Sequence, residues 1–217
     1  MADTPKKRFD YIIVGAGAAG CVLANRLSAD PNSSVLLLEA GSLSNHWRLR
    51  MPMAAMDRLS QSDKFCWKNW SEPEAQLDGR QIYVPSGKVV GGSSSINGMV
   101  HIRGNPAEFD RWAKQGCDGW SYQEVLPYFR KSETYHGPPS SLRGSDGPLS
   151  VFKTTPVNPL DVAFIESGVE AGFGLSEDFN GVSQEGFGSY DHSIDSGERV
   201  SAATAYLYPA QGRSNLT

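Results

Sequence analysis

The chain has 217 residues, of which 39% are hydrophobic and 20% charged, with a formal net charge of -4. This describes a soluble globular protein of one large domain or two small ones, and it excludes the basic footprint of a nucleic-acid binder. No apolar run approaches the roughly 18 residues that a membrane-spanning helix needs, so no transmembrane segment is expected.

At the N-terminus, Lys6-Lys7-Arg8 before an apolar stretch has the outline of a signal peptide. Asp10 and a glycine cluster interrupt that stretch, and cleavage there would remove the motif that follows, so the signal-peptide reading is rejected. Residues 1–8 are expected to be disordered. Cys21, Cys66 and Cys117 are odd in number and widely spaced, which fits neither a disulfide framework nor a zinc site. They suit a reducing, cytoplasmic setting, with peripheral membrane attachment left open for a longer parent. Cys21 reads as a small core residue, and no metal site is expected.

Tyr11 to Val14 reads as a strand, Ala18 to Ser28 as a helix and Val35 to Leu38 as a second strand. Between the first two lie Gly15, Gly17 and Gly20 in Gly-x-Gly-x-x-Gly spacing. Gly15 allows a sharp turn off the strand, Gly17 allows a pyrophosphate to approach the backbone, and Gly20 allows close helix packing. The helix start offers unpaired N–H groups and the positive end of a dipole. Glu39 ends the second strand, where its carboxylate can accept hydrogen bonds from ribose hydroxyls. The acid favours a dinucleotide with a free 2′-hydroxyl, FAD or NAD, over NADP; this unit alone does not separate the first two.

Residues 42–86 read as an irregular excursion in which Trp47, Trp67 and Trp70 anchor the chain to the core. Asp78-Gly79 marks a turn before a short strand from Gln81 to Val84. Gly87 to Gly104 follows. Within it Gly91, Gly92 and the serines at 93–95 form a compact polar loop that lets something flat or phosphorylated approach the backbone. Asn97 can donate and accept hydrogen bonds, which suits the edge of a heteroaromatic ring. Apolar flanks argue against a free linker.

The run from Gly87 to Asp110, joined to the glycine fingerprint at Gly15 to Gly20, resembles the glucose-methanol-choline (GMC) oxidoreductases, which are FAD-dependent enzymes acting on alcohols. The resemblance continues through Asp118 to Glu133, Gly147 to Val151, Gly197 to Leu207 and Arg213 to Leu216. It covers nearly the whole chain from residue 10 and looks like the choline dehydrogenase-like branch. It implies that Gly15, Gly17, Ala18, Ala19 and Gly20 meet the pyrophosphate of FAD, and that Glu39 binds the adenosine ribose with Ala40 and Gly41 beside it. It implies that Val89, Gly92, Asn97, Gly98, Met99 and Val100 run along the isoalloxazine, where backbone N–H groups could stabilise negative charge on the reduced ring. Some relatives attach FAD through a histidine just before this asparagine. Here that position is Ile96, so the FAD is expected to be non-covalent. His101 stands where an aromatic residue is usual and is read as replacing a packing ring.

Further along, Asn105-Pro106 opens a short helix through Trp112. Ser121 and Glu124 make a capping box, with Trp120 set to staple onto Val125, for a helix from Tyr122 to about Ser132 kinked at Pro127. Residues 136–148, rich in glycine, proline and serine, read as a boundary or surface loop. Pro159 to Gly172 reads as a helix and Gly186 to Ile194 as a strand. The chain stops at Thr217, where a further strand would begin.

The expected fold is therefore α/β (α+β over the whole chain). It is an incomplete Rossmann-like FAD/NAD(P)-binding fold, with 9–135 the N-terminal part of the FAD-binding domain and 136–217 the start of a β-rich substrate-binding domain. In the resembled family the catalytic histidines lie near the C-terminus, and none of His46, His101, His136 or His192 matches that motif. The resemblance thus implies a primary-alcohol substrate and an unspecified electron acceptor for a longer parent. This fragment has no catalytic residue of its own, and as an isolated chain it is expected to bind FAD weakly and to oxidise no alcohol. Two other readings are a nicotinamide-dependent dehydrogenase, against which the Gly91 to Asn97 loop speaks, and a non-catalytic dinucleotide-binding module. All three require the first turn to face a nucleotide; the flavin reading further requires the serine-rich segment to lie beside that turn.

Overall fold

The first strand is built from Tyr11–Val14 (β1), and it pairs in parallel with Val35–Leu38 (β2) in the register Tyr11↔Val35 to Val14↔Leu38. A computed structural model describes residues 7–56 and 59–217 of the chain; the first six residues of the N-terminal segment expected to be disordered lie outside it. Two parallel strands need a crossover, which is the helix Ala18–Leu27 (α1). The Asp10 carboxylate accepts from the Ser34 N–H at 2.8 Å, tying the starts of the two strands together. The other edge of β2 is taken by the last residues. Val35 N–H donates to Asn215 O and Leu37 N–H to Thr217 O, both at 2.8 Å. These residues make an isolated parallel bridge, Val35 to Leu216, and no strand of their own. Ile12 and Val14 on β1 are 61% and 84% exposed, an apolar face with nothing packed over it among the described residues.

The excursion after β2 is more ordered than its composition suggests. His46 caps a short helix, Trp47–Arg50 (α2). Cys66–Trp70 (β3) pairs antiparallel with Tyr83–Gly87 (β4), and Asp78 and Gly79 supply left-handed backbone in the loop between them. Leu49, Leu59, Phe65, Cys66, Val89 and Ile96 form the core under this hairpin. The three tryptophans do not join it. Trp47, Trp67 and Trp70 are 57%, 46% and 62% exposed, which corrects the expectation that they anchor the excursion. Trp47 stands on α2, and Trp67 and Trp70, three apart on β3 and so on opposite faces of the ribbon, pack only locally: Trp67 lies under the Lys88 ammonium at 4.2 Å and Trp70 against Tyr83 at 5.1 Å.

These elements, with the chain's return from Gly197 to Thr217, form one compact unit, and Met99–Ser196 forms a second. The divisions at 98/99 and 196/197 replace the boundary expected at 135/136. The physical reason is sheet pairing on both sides of that point. In the second unit Val100–His101 (β5) is followed by the helices Pro106–Lys114 (α3) and Tyr122–Ser132 (α4), then Glu133–His136 (β6), Leu149–Phe152 (β7), Pro159–Glu170 (α5) and Asp191–His192 (β8). The strands form one sheet in the order β5-β8-β7-β6, so the loop at 137–148 joins two paired strands rather than two domains.

The helix starts follow the sequence. Asn105 and Asn158 cap α3 and α5 ahead of prolines, and Glu124 accepts from the Ser121 N–H at 3.1 Å in the expected capping box. Trp120 lies against Trp112, with ring centroids 5.8 Å apart. Pro127 is retained inside α4. The strand expected from Gly186 to Ile194 is broken. Gly186 has φ 129° and Phe187 makes only an isolated bridge to Leu175, leaving β8 and a two-residue piece at Ile194–Asp195.

The second unit is centred on a charge. Glu133 is fully buried and accepts hydrogen bonds from Arg103, from Arg143 Nε at 3.0 Å and from Gly144 N–H at 2.8 Å. His101 Nε2 lies 3.0 Å from its second oxygen. His101 is therefore a polar partner, not a stand-in for a packing ring. Arg143 continues the network to Asp178 and Asp191 at 2.7 and 2.9 Å. Burial by itself would raise the Glu133 carboxyl, but the hydrogen bonds from His101 and Gly144 and the charges of Arg103 and Arg143 outweigh it and hold it down to about 2.

Because the folded value lies below the ordinary 4.5, this carboxylate stabilises the fold above that pH and ceases to do so as pH falls toward 2. The linked loss is about 3 kcal/mol. Glu133→Gln should lower the unfolding free energy by about 3–5 kcal/mol at neutral pH, since it leaves the Arg103 guanidinium buried without its acid and takes one of three acids from Arg143. Urea titrations at pH 7 and pH 3 would check both: the variant should lose less stability than the wild type between the two pH values.

Candidate functional site

The site is built at the carboxyl ends of β1 and β2. β1 ends at Val14, and Gly15 turns the chain with φ 95°, a left-handed conformation that a side chain would strain. Gly17 is the cap residue of α1, and no side chain caps that first turn, so its N–H groups face outward for an anion. A Cβ built on Gly17 would meet nothing within 4 Å, and Ala18 and Ala19 are exposed. Gly20 does a different job. A Cβ there would sit 1.9 Å from the Gly15 carbonyl oxygen, so its bare Cα is what lets α1 leave the turn so tightly.

Glu39 is held over this turn. One carboxylate oxygen accepts from Ala16 N–H at 2.7 Å and the other from Gly41 N–H at 2.8 Å. Each oxygen keeps a lone pair, so the carboxylate is oriented and can still accept from hydroxyl groups. Ala40 is exposed beside it. Gly41 is packed so closely on the backbone of Lys88 and Val89 that a Cβ would come within 2.2 Å.

The serine-rich loop lies against the same turn. Gly91 N–H donates to Ala16 O at 2.7 Å. Gly92 has φ 57°, and a Cβ on it would stand 2.8 Å from Gly17 Cα. Two of the loop's three hydroxyls bond back to its own backbone: Ser94 donates to Gly91 O at 2.6 Å and Ser95 to Val90 O at 2.9 Å. Asn97 and Gly98 are exposed at the loop's end.

Among the sequence-predicted residues, then, Gly15, Gly17, Ala18, Ala19, Gly20, Glu39, Ala40, Gly41, Gly92, Asn97 and Gly98 all belong to the first unit. Val89 does too, but its side chain is fully buried in the core, so only its backbone is available to a ligand. Met99 and Val100 belong to the second unit; Met99 is buried with φ 62° and Val100 is exposed at β5. Ile96 points into the core.

The structure adds a layer that the motifs did not single out for chemistry. The returning segment, π-helical from Ala203 to Leu207, packs on α1, and Asn25 Nδ2 donates to Tyr206 O at 2.7 Å. Ala202 N–H donates to Ser94 Oγ at 2.9 Å, and Arg199 reaches Asn97 Oδ1 at 2.8 Å. Its sequence signal was the Gly197 to Leu207 run, which carried resemblance without any assigned role. Cys21, buried in α1, points its sulfur at Ala16 O at 3.3 Å, and burial pushes its thiol up to about 11, so it is an inert core residue. Among the described residues no cluster of His, Cys, Asp and Glu could hold a metal, and no helix is long and apolar enough to cross a membrane. In the second unit a cavity of about 570 Å³ is lined by residues such as Tyr135, Pro138, Lys153 and Asp178, and includes none of the predicted site residues.

Comparison with known proteins places the chain in a family. The family model described as GMC oxidoreductase matches residues 9–217. An oxygen-dependent choline dehydrogenase of Photobacterium profundum is 48% identical over 211 residues, covering 96% of this chain and 37% of its own length. The mitochondrial choline dehydrogenase of Homo sapiens is 47% identical over 218 residues, covering 97% of this chain and 36% of its own. Among solved structures, a pyridoxine 4-oxidase from Mesorbium loti superposes with a TM-score of 0.85 at 34% identity, covering 97% of this chain and 42% of that one. The formate oxidase of Aspergillus oryzae does so with a TM-score of 0.86 at 28% identity, covering 99% of this chain and 38% of that one. The chain thus spans little more than a third of the length of the curated relatives it matches. With the family model covering all but the first eight residues, the chain belongs to the GMC oxidoreductase family.

Proposed function

We propose that this chain is the FAD-binding part of a flavoenzyme that oxidises a primary alcohol, choline or a similar one, to an aldehyde. One observation carries the reading: the glycine turn and the serine-rich loop, 75 residues apart between Gly17 and Gly92, press backbone on backbone beneath one open surface. A plain βαβ turn has no need of a second glycine loop brought in that close. The relatives support the reaction class, since they are named as choline dehydrogenases, and similar solved structures are named as a FAD-dependent oxidoreductase and as a formate oxidase with modified FAD.

The residues fit the cofactor. The first turn of α1, from Gly17 to Gly20, would bind the diphosphate through its outward N–H groups. Glu39, already oriented by two backbone donors, would accept from the adenosine ribose, with Ala40 and Gly41 beside it. Gly92, Asn97 and Gly98 would lie along the isoalloxazine, with the backbone of Val89 behind them and Met99 and Val100 following. With Ile96 turned into the core, no histidine at that position can make a covalent link. Bound FAD would supply the hydride acceptor; the chain's own contribution is to hold and orient it. The described histidines are engaged elsewhere: His101 with Glu133, His136 with Ser150 at 2.8 Å and His192 with Thr154 at 2.8 Å. We assign none of them to the substrate.

Purified protein should be yellow, with an absorbance band near ~450 nm that the flavin brings with it. A colourless protein that binds NAD instead would favour the nicotinamide reading. Glu39→Ala should weaken FAD retention about tenfold to a hundredfold, the worth of a charged hydrogen bond; flavin content unchanged after gel filtration would remove Glu39 from the ribose. Gly92→Ala should abolish retention by forcing the two glycine loops apart, while Gly98→Ala, where a Cβ would meet nothing within 4 Å, should be tolerated. Equal flavin content in the two variants would count against the close-approach argument.

A further inference from the structure

β5 is only two residues long, yet the segment that runs through it is held on three sides. Along one edge it pairs with β8, Val100 opposite His192 and His101 opposite Asp191. On one face the His101 ring reaches the buried Glu133 at 3.0 Å. The other edge meets no strand among the described residues and is closed by side chains instead. Asn180, 3% exposed, donates from Nδ2 to His101 O at 3.0 Å and accepts at Oδ1 from Arg103 N–H at 2.7 Å. Gln184 Nε2 donates to Arg103 O at 3.0 Å.

A carboxamide carries a donor and an acceptor side by side. Set between the carbonyl of one residue and the N–H of the residue two further on, it makes the pair of bonds that a neighbouring strand would make. Asn180 is itself fixed, because its N–H donates to Asp178 Oδ1 at 2.8 Å and Asp178 is bound by Arg143. The start of the strand is constrained as well. Asp78, Met99 and Ser196 have left-handed backbone, and Met99, with φ 62°, stands outside the turns that hold the other two. Its carbonyl oxygen accepts from Ser193 N–H at 2.8 Å and from Ser193 Oγ at 3.2 Å. Side chains of successive strand residues point to opposite faces. With His101 turned to Glu133, Val100 stands on the other face, 44% exposed, and that face carries none of these constraints.

We propose that Asn180 is a positioning residue for the flavin, acting through β5. It fixes the outer edge of the strand, so that the face bearing Val100 is presented to the isoalloxazine in one position. A two-residue edge strand without that clamp could shift, and a displacement of about 1 Å at a contact of this kind is costly. The inference rests on the flavin-binding reading above, which sets Val100 beside the ring. It extends that reading from the residues that meet the cofactor to a side chain that holds one of them in place. An edge strand also needs protection from stray pairing, so the test must separate a positioning role from a cap.

The longest polypeptide that the gene encodes is purified with FAD as wild type, Asn180→Ala and Asn180→Asp. Flavin content, thermal unfolding, hydrogen exchange over residues 99–103 and the visible circular dichroism of the bound flavin are measured on each. In Asn180→Ala the Arg103 N–H should exchange about tenfold to a hundredfold faster, the worth of a buried hydrogen bond. The flavin dichroism should change in the same protein. Asn180→Asp keeps the acceptor for Arg103 N–H and loses the donor to His101 O, so its dichroism should change less. FAD lost from a folded Asn180→Ala protein would also support the proposal, since Asn180 is none of the predicted cofactor residues. Flavin dichroism superimposable on wild type in a folded, loaded Asn180→Ala protein would overturn it, whatever the exchange, and leave Asn180 as an edge cap. Should Asn180→Ala fail to fold, Asn180→Asp decides on the same signal: altered dichroism supports the role, and an unchanged spectrum overturns it. Failure of the wild type to hold FAD would sink the cofactor reading instead, a result that flavin content reports separately.

Discussion

The approach of Gly92 to Gly17 is the constraint on which the site depends. Two stretches of backbone can come this near only where neither carries a side chain. The hydrogen bond from Gly91 N–H to Ala16 O at 2.7 Å then fixes their register. Everything proposed for the first unit follows from that junction. It leaves the start of α1 uncapped and facing outward, and puts the Glu39 carboxylate above it. The exposed end of the serine loop extends from the same place.

The two units are stabilised by different physics. The first is held by apolar burial under its hairpin, by the crossover helix and by a returning segment that packs on that helix. The second is organised around a buried carboxylate shared by two arginines and a histidine. Such a network contributes little net stability compared with apolar packing, but removing one member is costly because the others remain buried. Glu133 ties the end of α4 to the loop at 137–148, and Arg143 ties that loop to β8. This accounts for a loop rich in glycine and proline being an interior connection rather than a boundary.

Arg199 differs from both. It is a buried charge whose hydrogen bonds among the described residues go to uncharged oxygens, and it touches the loop that the family resemblance assigns to the flavin. The returning segment thus carries more than packing: it braces the loop on which the site is built.

The sequence by itself determined the local pieces whose physics is local. The strand-turn-helix-strand unit, the asparagine cap of α3, the capping box of α4 and the turn at Asp78-Gly79 were all legible, because spacing and glycine or proline chemistry act over a few residues. The family was legible for the same reason, through motifs of fixed spacing. Only the tertiary structure decided what depends on partners far along the chain. The tryptophans of the excursion proved exposed, since burial is set by what covers an element and not by the ring itself. His101 proved to be a partner of Glu133, and the divide between units moved to 98/99 and 196/197, because sheet pairing joins strands across the loop that composition marks as a break. Val89 proved to be core. The grip of Arg199 on Asn97 was invisible for the plainest reason: 102 residues separate the two in sequence, and no local pattern records which distant oxygen a buried guanidinium will find.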